Sequence, residues 1–174
     1  MTDAETIKRA IKRNTKAVSL RPAAGKWTAV SRATIVDGCT CRITEGSWEM
    51  ITDMPKSEGG EDQGPTPGVL GRGALGSCLA MGIVQHAAEN GVPLDSVSVE
   101  VQADMDARGY LRLDDDIPPG FTQIRVIVDV RSPAPEERVR EIIRTAERYS
   151  PFGDAFRRAN DVVVDVRVVP RAAT

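Results

Sequence analysis

The stretch GALGSCLAMGIV, Gly73–Val84, sets one cysteine among small and apolar residues. Leu70, Ala74, Leu75, Leu79, Met81, Ile83 and Val84 leave no polar face, the pattern of a helix buried on all sides. Glycine at 71, 73, 76 and 82 costs about 1 kcal/mol each against alanine in a helix interior, so another backbone or a ligand is expected to pack closely there. The helix is predicted from about Gly68 to Asn90, with Pro67 near its entry and Asn90-Gly91 as its stop.

Upstream, WTAVSRATIVDGCTCRITEGSWEMITDMP reads as a meander of strands. Asp37-Gly38 between two strand-like runs predicts a hairpin with a type I′ turn, and Gly46 marks a second turn or a bulge. KSEGGEDQGPTPG is loop by its Gly, Pro and charge content. Before the meander, residues 3–17 form a short predicted helix. Thr2 and Glu5 make its capping-box pattern, Ile7 and Ile11 share one face, and LRPAAGK is its linker to the body.

Downstream, VSVEVQADM alternates Val97, Val99, Val101, Ala103 and Met105 on one face, and TQIRVIVDV repeats the alternation, so two half-buried strands flank a polar turn region. SPAPEERVREIIRTAERY is an amphipathic helix with Val139, Ile142, Ile143 and Ala146 on its stripe. SPFGDAFRRAND is a second, with Ser150 as N-cap and Pro151 at the first helical position. DVVVDVRVV closes the chain as a strand. The order is that of an α+β protein with antiparallel hairpins.

A chain of 174 residues with 41% hydrophobic and 28% charged residues is expected to fold as one soluble domain. Its net charge of -2 sets up no field for nucleic acid or an anionic membrane. The arginines of REIIRTAER alternate with acids as on a solvated helix face. The charged start MTDAETIKRAIKRN is no secretory signal, and no apolar run is expected to reach the roughly 20 residues that span a bilayer. A cytoplasmic protein with reduced thiols follows from this.

Cys78 is either a small core hydrophobe or a nucleophile in an apolar pocket. It lies about ten residues into its helix, beyond the terminal dipole, so a reactive thiolate would need an arginine from another element. His86, the only histidine, is about 12 Å further along the same helix and cannot serve it as a base. Cys39 and Cys41 are predicted to share one face of the strand after the hairpin. With one histidine and three cysteines no zinc set is expected, and no nucleotide-binding loop or nucleophile elbow occurs, so neither metal nor cofactor is called for.

With these elements in order, the chain resembles the family of osmotically inducible protein C and organic hydroperoxide resistance (OsmC/Ohr) proteins. The segments that carry the likeness are GGEDQGPTPGVLGRGALGSCLAMGI, VEVQADMDARG, PGFTQIRVIVDV and AERYSPFGDAF. It divides the chain into an N-terminal helical extension, residues 1–26, and an OsmC/Ohr-like domain, residues 27–174. The resemblance implies an intertwined homodimer with antiparallel sheets wrapped around long buried central helices. It also implies a cysteine that attacks the distal oxygen of an organic hydroperoxide, an arginine and a glutamate that hold the thiolate, and a second cysteine that resolves the sulfenic acid.

Cys78 matches the peroxidatic cysteine, whereas Ser150 occupies the resolving position and Gly68 the position of the glutamate. The arginine would come from the N-terminal hairpin, where Arg32 and Arg42 are both candidates, with Arg72 as a third. Two functions are therefore expected. One is thiol-dependent reduction of organic hydroperoxides through Cys78, with an external thiol, Cys39 or Cys41 as resolver. The other is a non-catalytic member of the fold that binds an apolar small molecule.

Overall fold

A computed structural model describes residues 3–169. The first helix, α1, covers Ala4–Leu20 and packs against the central helix. Its N-cap is Asp3, whose carboxylate accepts from the Thr6 backbone N–H at 2.7 Å. Asp3 is thus the cap, and Thr2, expected in the capping box, lies outside the described residues.

Three antiparallel strands follow in the order β1 (Arg32–Asp37), β2 (Thr40–Glu45) and β3 (Trp48–Thr52). Asp37 pairs with Thr40, so Gly38 and Cys39 are the central turn residues. Gly38 has φ +49° and Cys39 is not in the positive-φ region. A positive φ at the first central position alone is the type II′ pattern, which corrects the expected type I′ turn. Cys39 therefore sits in the turn, exposed, while Cys41 lies within β2 between Ile35 and Thr52, and the two thiols do not share a strand face. The second turn forms as expected, between Glu45 and Trp48, with Gly46 at φ +57°.

At the end of the meander Asp53 is 2% exposed and anchors the loop to the central helix. It accepts from the Thr40 hydroxyl and from the backbone N–H groups of Met54, Glu61 and Gln63 at 2.8–3.2 Å. Burial pushes this carboxyl up, and the hydrogen bonds outweigh it and hold its pKa below the ordinary value.

The central helix α2 covers Pro67–Asn90, capped by Thr66 and stopped by Gly91 in the left-handed conformation at φ +65°. Two longer strands, β4 (Ser96–Met105) and β5 (Phe121–Arg131), form an antiparallel pair, and β4 packs on α2. The polar segment between them holds a single helical turn, α3 (Ala107–Tyr110), which the sequence pattern does not announce. Helices α4 (Glu136–Arg148) and α5 (Pro151–Arg157) also pack on α2. The core is Leu79, Ile83 and Ala87 of α2 with Val92, and Val139, Ile142 and Ala146 of α4. Each fully buried Leu, Ile or Val side chain contributes about 1.5–3 kcal/mol. Gly76 shows what one helix glycine is for: a Cβ there would lie 3.2 Å from Val101 Cγ2, so its absence lets β4 approach.

The α+β architecture with antiparallel sheets and a long central helix is the expected one. Three further details differ. First, α2 is not buried on all sides within one chain: Val69, Gly73, Ser77, Met81 and Val84 form an exposed stripe, with Met81 59% exposed. Second, residues 161–169 carry no strand pairing, and Val162, Val163, Val164, Val166, Val168 and Val169 are all at least 77% exposed. The alternation is present, but a strand needs a neighbouring ladder and one chain leaves this segment without one. Third, α2 is long and apolar enough, by length and composition alone, to cross a membrane. Its Leu, Ile, Val, Met and Ala side chains raise its hydropathy; in this fold it is the core helix on which β4, α1, α4 and α5 pack.

Candidate functional site

Cys78 is half-buried on α2, and its Sγ lies 3.4 Å from the Ser150 Oγ. Ser150 is 5% exposed and ends the turn between α4 and α5. Its Oγ accepts from the Gly153 backbone N–H at 3.0 Å, the cap predicted from the Ser-Pro pair. With that lone pair engaged, the hydroxyl proton is free to point at the Cys78 sulfur, and a thiolate would accept it. The sequence-predicted partners Cys78 and Ser150 are thus brought together.

Beside them is a cavity of about 270 Å³. Leu75 and Leu79 of α2, Val126 and Val128 of β5, and Ile143 of α4 supply its apolar walls. Its remaining lining is Ser150, Glu147 and Arg157. Arg157, on α5, donates to the Glu147 carboxylate of α4 at 2.7 Å. Neither residue of this pair is evident in the sequence, where both look like solvated helix charges. The available signal is their spacing, since each lies one to two helical turns from Ser150 on either side of the α4–α5 corner.

The hairpin arginines lie elsewhere. Arg42 faces Glu49 across the β2–β3 pair at 3.4 Å, and Arg32 opens β1 in an exposed position. Among the described residues no hydrogen bond or ion pair joins either of them to Cys78. Arg72 lies on α2 about 9 Å along the axis from Cys78. Its guanidinium instead covers Gly68, 3.4 Å from where a Cβ would stand, so the position matched to the family glutamate is filled by a cation. His86 pairs with Glu89 at 3.4 Å. Cys39, Cys41 and Cys78 are all free thiols. Among the described residues no three His, Cys, Asp or Glu side chains converge as a metal set would.

A larger cavity, about 740 Å³, opens between α1 and α2. Ile7, Met81, Val84, Val92, Leu94 and Val97 give it an apolar lining, and it does not reach Cys78.

Fold and site together define an α+β protein with a thiol on its central helix, set against a buried hydroxyl. A family model described as OsmC-like protein matches residues 60–165, and the chain belongs to that family. An OsmC-like protein from Mycoplasma pneumoniae superposes with a TM-score of 0.65 at 14% identity, over 75% of this chain and 88% of that one. An organic hydroperoxide resistance protein OsmC from Legionella pneumophila gives 0.56 at 19% identity, over 75% and 90%. An organic hydroperoxide resistance protein from Elizabethkingia anophelis gives 0.57 at 17%, over 76% and 89%. At these identities the likeness is one of fold. No curated protein matches the sequence.

Proposed function

We propose that the protein reduces organic hydroperoxides through Cys78. The observation that carries this reading is the Cys78–Ser150 contact at 3.4 Å beside an apolar cavity. A thiolate at Cys78 attacks the distal peroxide oxygen; the O–O bond breaks, Cys78 becomes a sulfenic acid, and the alkoxide leaves as an alcohol after taking a proton. Ser150 has no sulfur with which to close a disulfide. Cys39 and Cys41 belong to the meander, which makes no contact with Cys78 among the described hydrogen bonds. The resolver is therefore an external thiol, as a reducing cytoplasm supplies. One thiol condenses with the sulfenic acid to a mixed disulfide and water, and a second thiol releases reduced Cys78 and a small-molecule disulfide.

The functional unit in this reading is a homodimer. Ile35, Trp48 and Met50 of the meander, Met81 of α2 and the valines after residue 161 are exposed in one chain. A second copy would cover them, whereas scattered single apolar residues would need no cover. In the expected division residues 1–26 are an N-terminal extension, a reading supported by the packing of its helix α1 on α2. A second reading, binding of an apolar small molecule without catalysis, is favoured by the 740 Å³ cavity under α1.

The test is mass spectrometry of the reduced protein after stoichiometric cumene hydroperoxide, with a sulfenic-acid trap and Cys78→Ser as control. Rapid trap-sensitive oxidation at Cys78 is expected. An inert Cys78 overturns the peroxidase reading, and a molecule retained in the α1–α2 cavity would then support the second.

A further inference from the structure

A thiol becomes a thiolate near neutral pH only where a positive charge or strong donors stabilise it. The hairpin arginines supply none within the chain, and α5 is too short to count on its dipole. The charged side chains lining the cavity beside Cys78 are Arg157 and Glu147. We propose that Arg157, held in place by Glu147, is the positioning cation of the Cys78 thiolate and acts on it through the Ser150 hydroxyl.

Three geometric facts support the assignment. The Glu147 carboxylate ties the Arg157 guanidinium across the α4–α5 corner at 2.7 Å, so the cation is tethered at the solvent-exposed rim of the cavity. Gly153 sits beside both the guanidinium and the hydroxyl. A Cβ on it would stand 3.5 Å from Arg157 Nη1 and 3.1 Å from Ser150 Oγ, so the glycine leaves the space between them open. Ser150 itself is buried and already accepts from the Gly153 N–H. A backbone donor on one side and a cation beyond it both polarise its O–H toward the sulfur at 3.4 Å. The carboxylate that steadies the arginine thus comes from α4, while α2 has only Gly68 at the position matched to the family glutamate.

This inference rests on the reading of Cys78 as a peroxidatic thiol, and its test separates the two. In the Cys39→Ser, Cys41→Ser background, the rate of iodoacetamide alkylation at Cys78 is followed against pH by peptide mass spectrometry, alongside oxidation by cumene hydroperoxide. Arg157→Gln is expected to raise the alkylation midpoint and lower the rate at pH 7 by about three- to tenfold, since Arg157 is partly screened by solvent. Arg157→Lys is expected to restore most of the rate, and Glu147→Gln to fall between, outcomes that a purely structural role would not produce. An unchanged midpoint in Arg157→Gln overturns the inference. If Arg32→Gln or Arg42→Gln raises it instead, the cation comes from a hairpin, and the peroxidase reading stands. If Cys78 shows an Arg157-dependent midpoint yet stays inert to peroxide, the inference holds and the peroxidase reading fails.

Discussion

The helical body and the N-terminal meander are finished to different degrees. Around α2 the chain closes its own core, with Ile83 fully buried and Ile142 and Ala146 nearly so. In the meander Trp48 is 76% and Ile35 63% exposed, and its buried side chains are polar ones, Thr52 and Asp53. A three-stranded sheet with bare apolar faces is marginal by itself. This contrast decides where chemistry can be anchored. Cys78, Ser150, Glu147 and Arg157 all belong to the body, whose packing one chain supplies, whereas Arg32 and Arg42 ride on an element that needs another surface to fix it.

The most severe trial of the contrast is to truncate each side in turn. Ile83→Ala removes a side chain with no exposure from the centre of the body, and a loss of about 2–5 kcal/mol is expected in urea unfolding. Ile35→Ala in the meander is expected to cost under about 0.5 kcal/mol at a dilution where only single copies are present. Equal costs at that dilution would mean that the meander is packed by its own chain after all.

The next effect belongs to association. Trp48→Asp places a charge at the exposed aromatic position of β3. If a second copy covers that face, the dissociation constant rises at least about tenfold, read by sedimentation velocity across a concentration series. A wild-type chain that sediments as a single copy at every concentration would remove the dimer from the proposal.

These two regions also differ in how much their sequence discloses. The central helix, its Gly91 stop and the Ser150 cap are legible because glycine, proline and serine act on their own few residues of backbone. The hairpin is legible as a hairpin but not in register: Asp-Gly marks a turn, while the ladder decides that Asp37 pairs with Thr40. The alternating valines after residue 161 read as a strand, yet alternation describes only which side would be buried. Pairing depends on a partner that the sequence does not name. At the site, Cys78 and Ser150 can be matched from motifs, whereas Glu147 and Arg157 cannot. Their meeting depends on the angle of the α4–α5 corner, which a linear charge pattern does not encode.

A smaller effect probes the role of Ser150. Ser150→Cys keeps the size of the side chain and weakens the cap, a loss of about 1 kcal/mol. It also sets a sulfur where the hydroxyl now lies 3.4 Å from the Cys78 sulfur. After one equivalent of cumene hydroperoxide the variant is expected to form a disulfide between Cys78 and the introduced thiol, seen by non-reducing peptide mapping, where the wild type keeps a trappable sulfenic acid. No disulfide in an oxidised variant would show that the 3.4 Å contact is not maintained during turnover.

The smallest effect concerns the joint between the two regions. Asp53 connects β2, through Thr40, to the loop that leads into α2, through Glu61 and Gln63. Its burial favours the neutral acid, and its four hydrogen bonds favour the carboxylate more strongly, so its folded pKa lies below the ordinary value of 3.8. A group with a lowered folded pKa adds stability that is fully present above the unfolded value and is lost as pH falls through the folded one. Asp53→Asn keeps the shape but removes one acceptor and the charge. The variant is therefore expected to melt below the wild type at pH 7 and pH 5, and the gap should close as pH falls below about 4. A gap that stays constant down to pH 3 would assign the loss to shape and hydrogen-bond count, leaving the charge of Asp53 no part in tying the meander to the body.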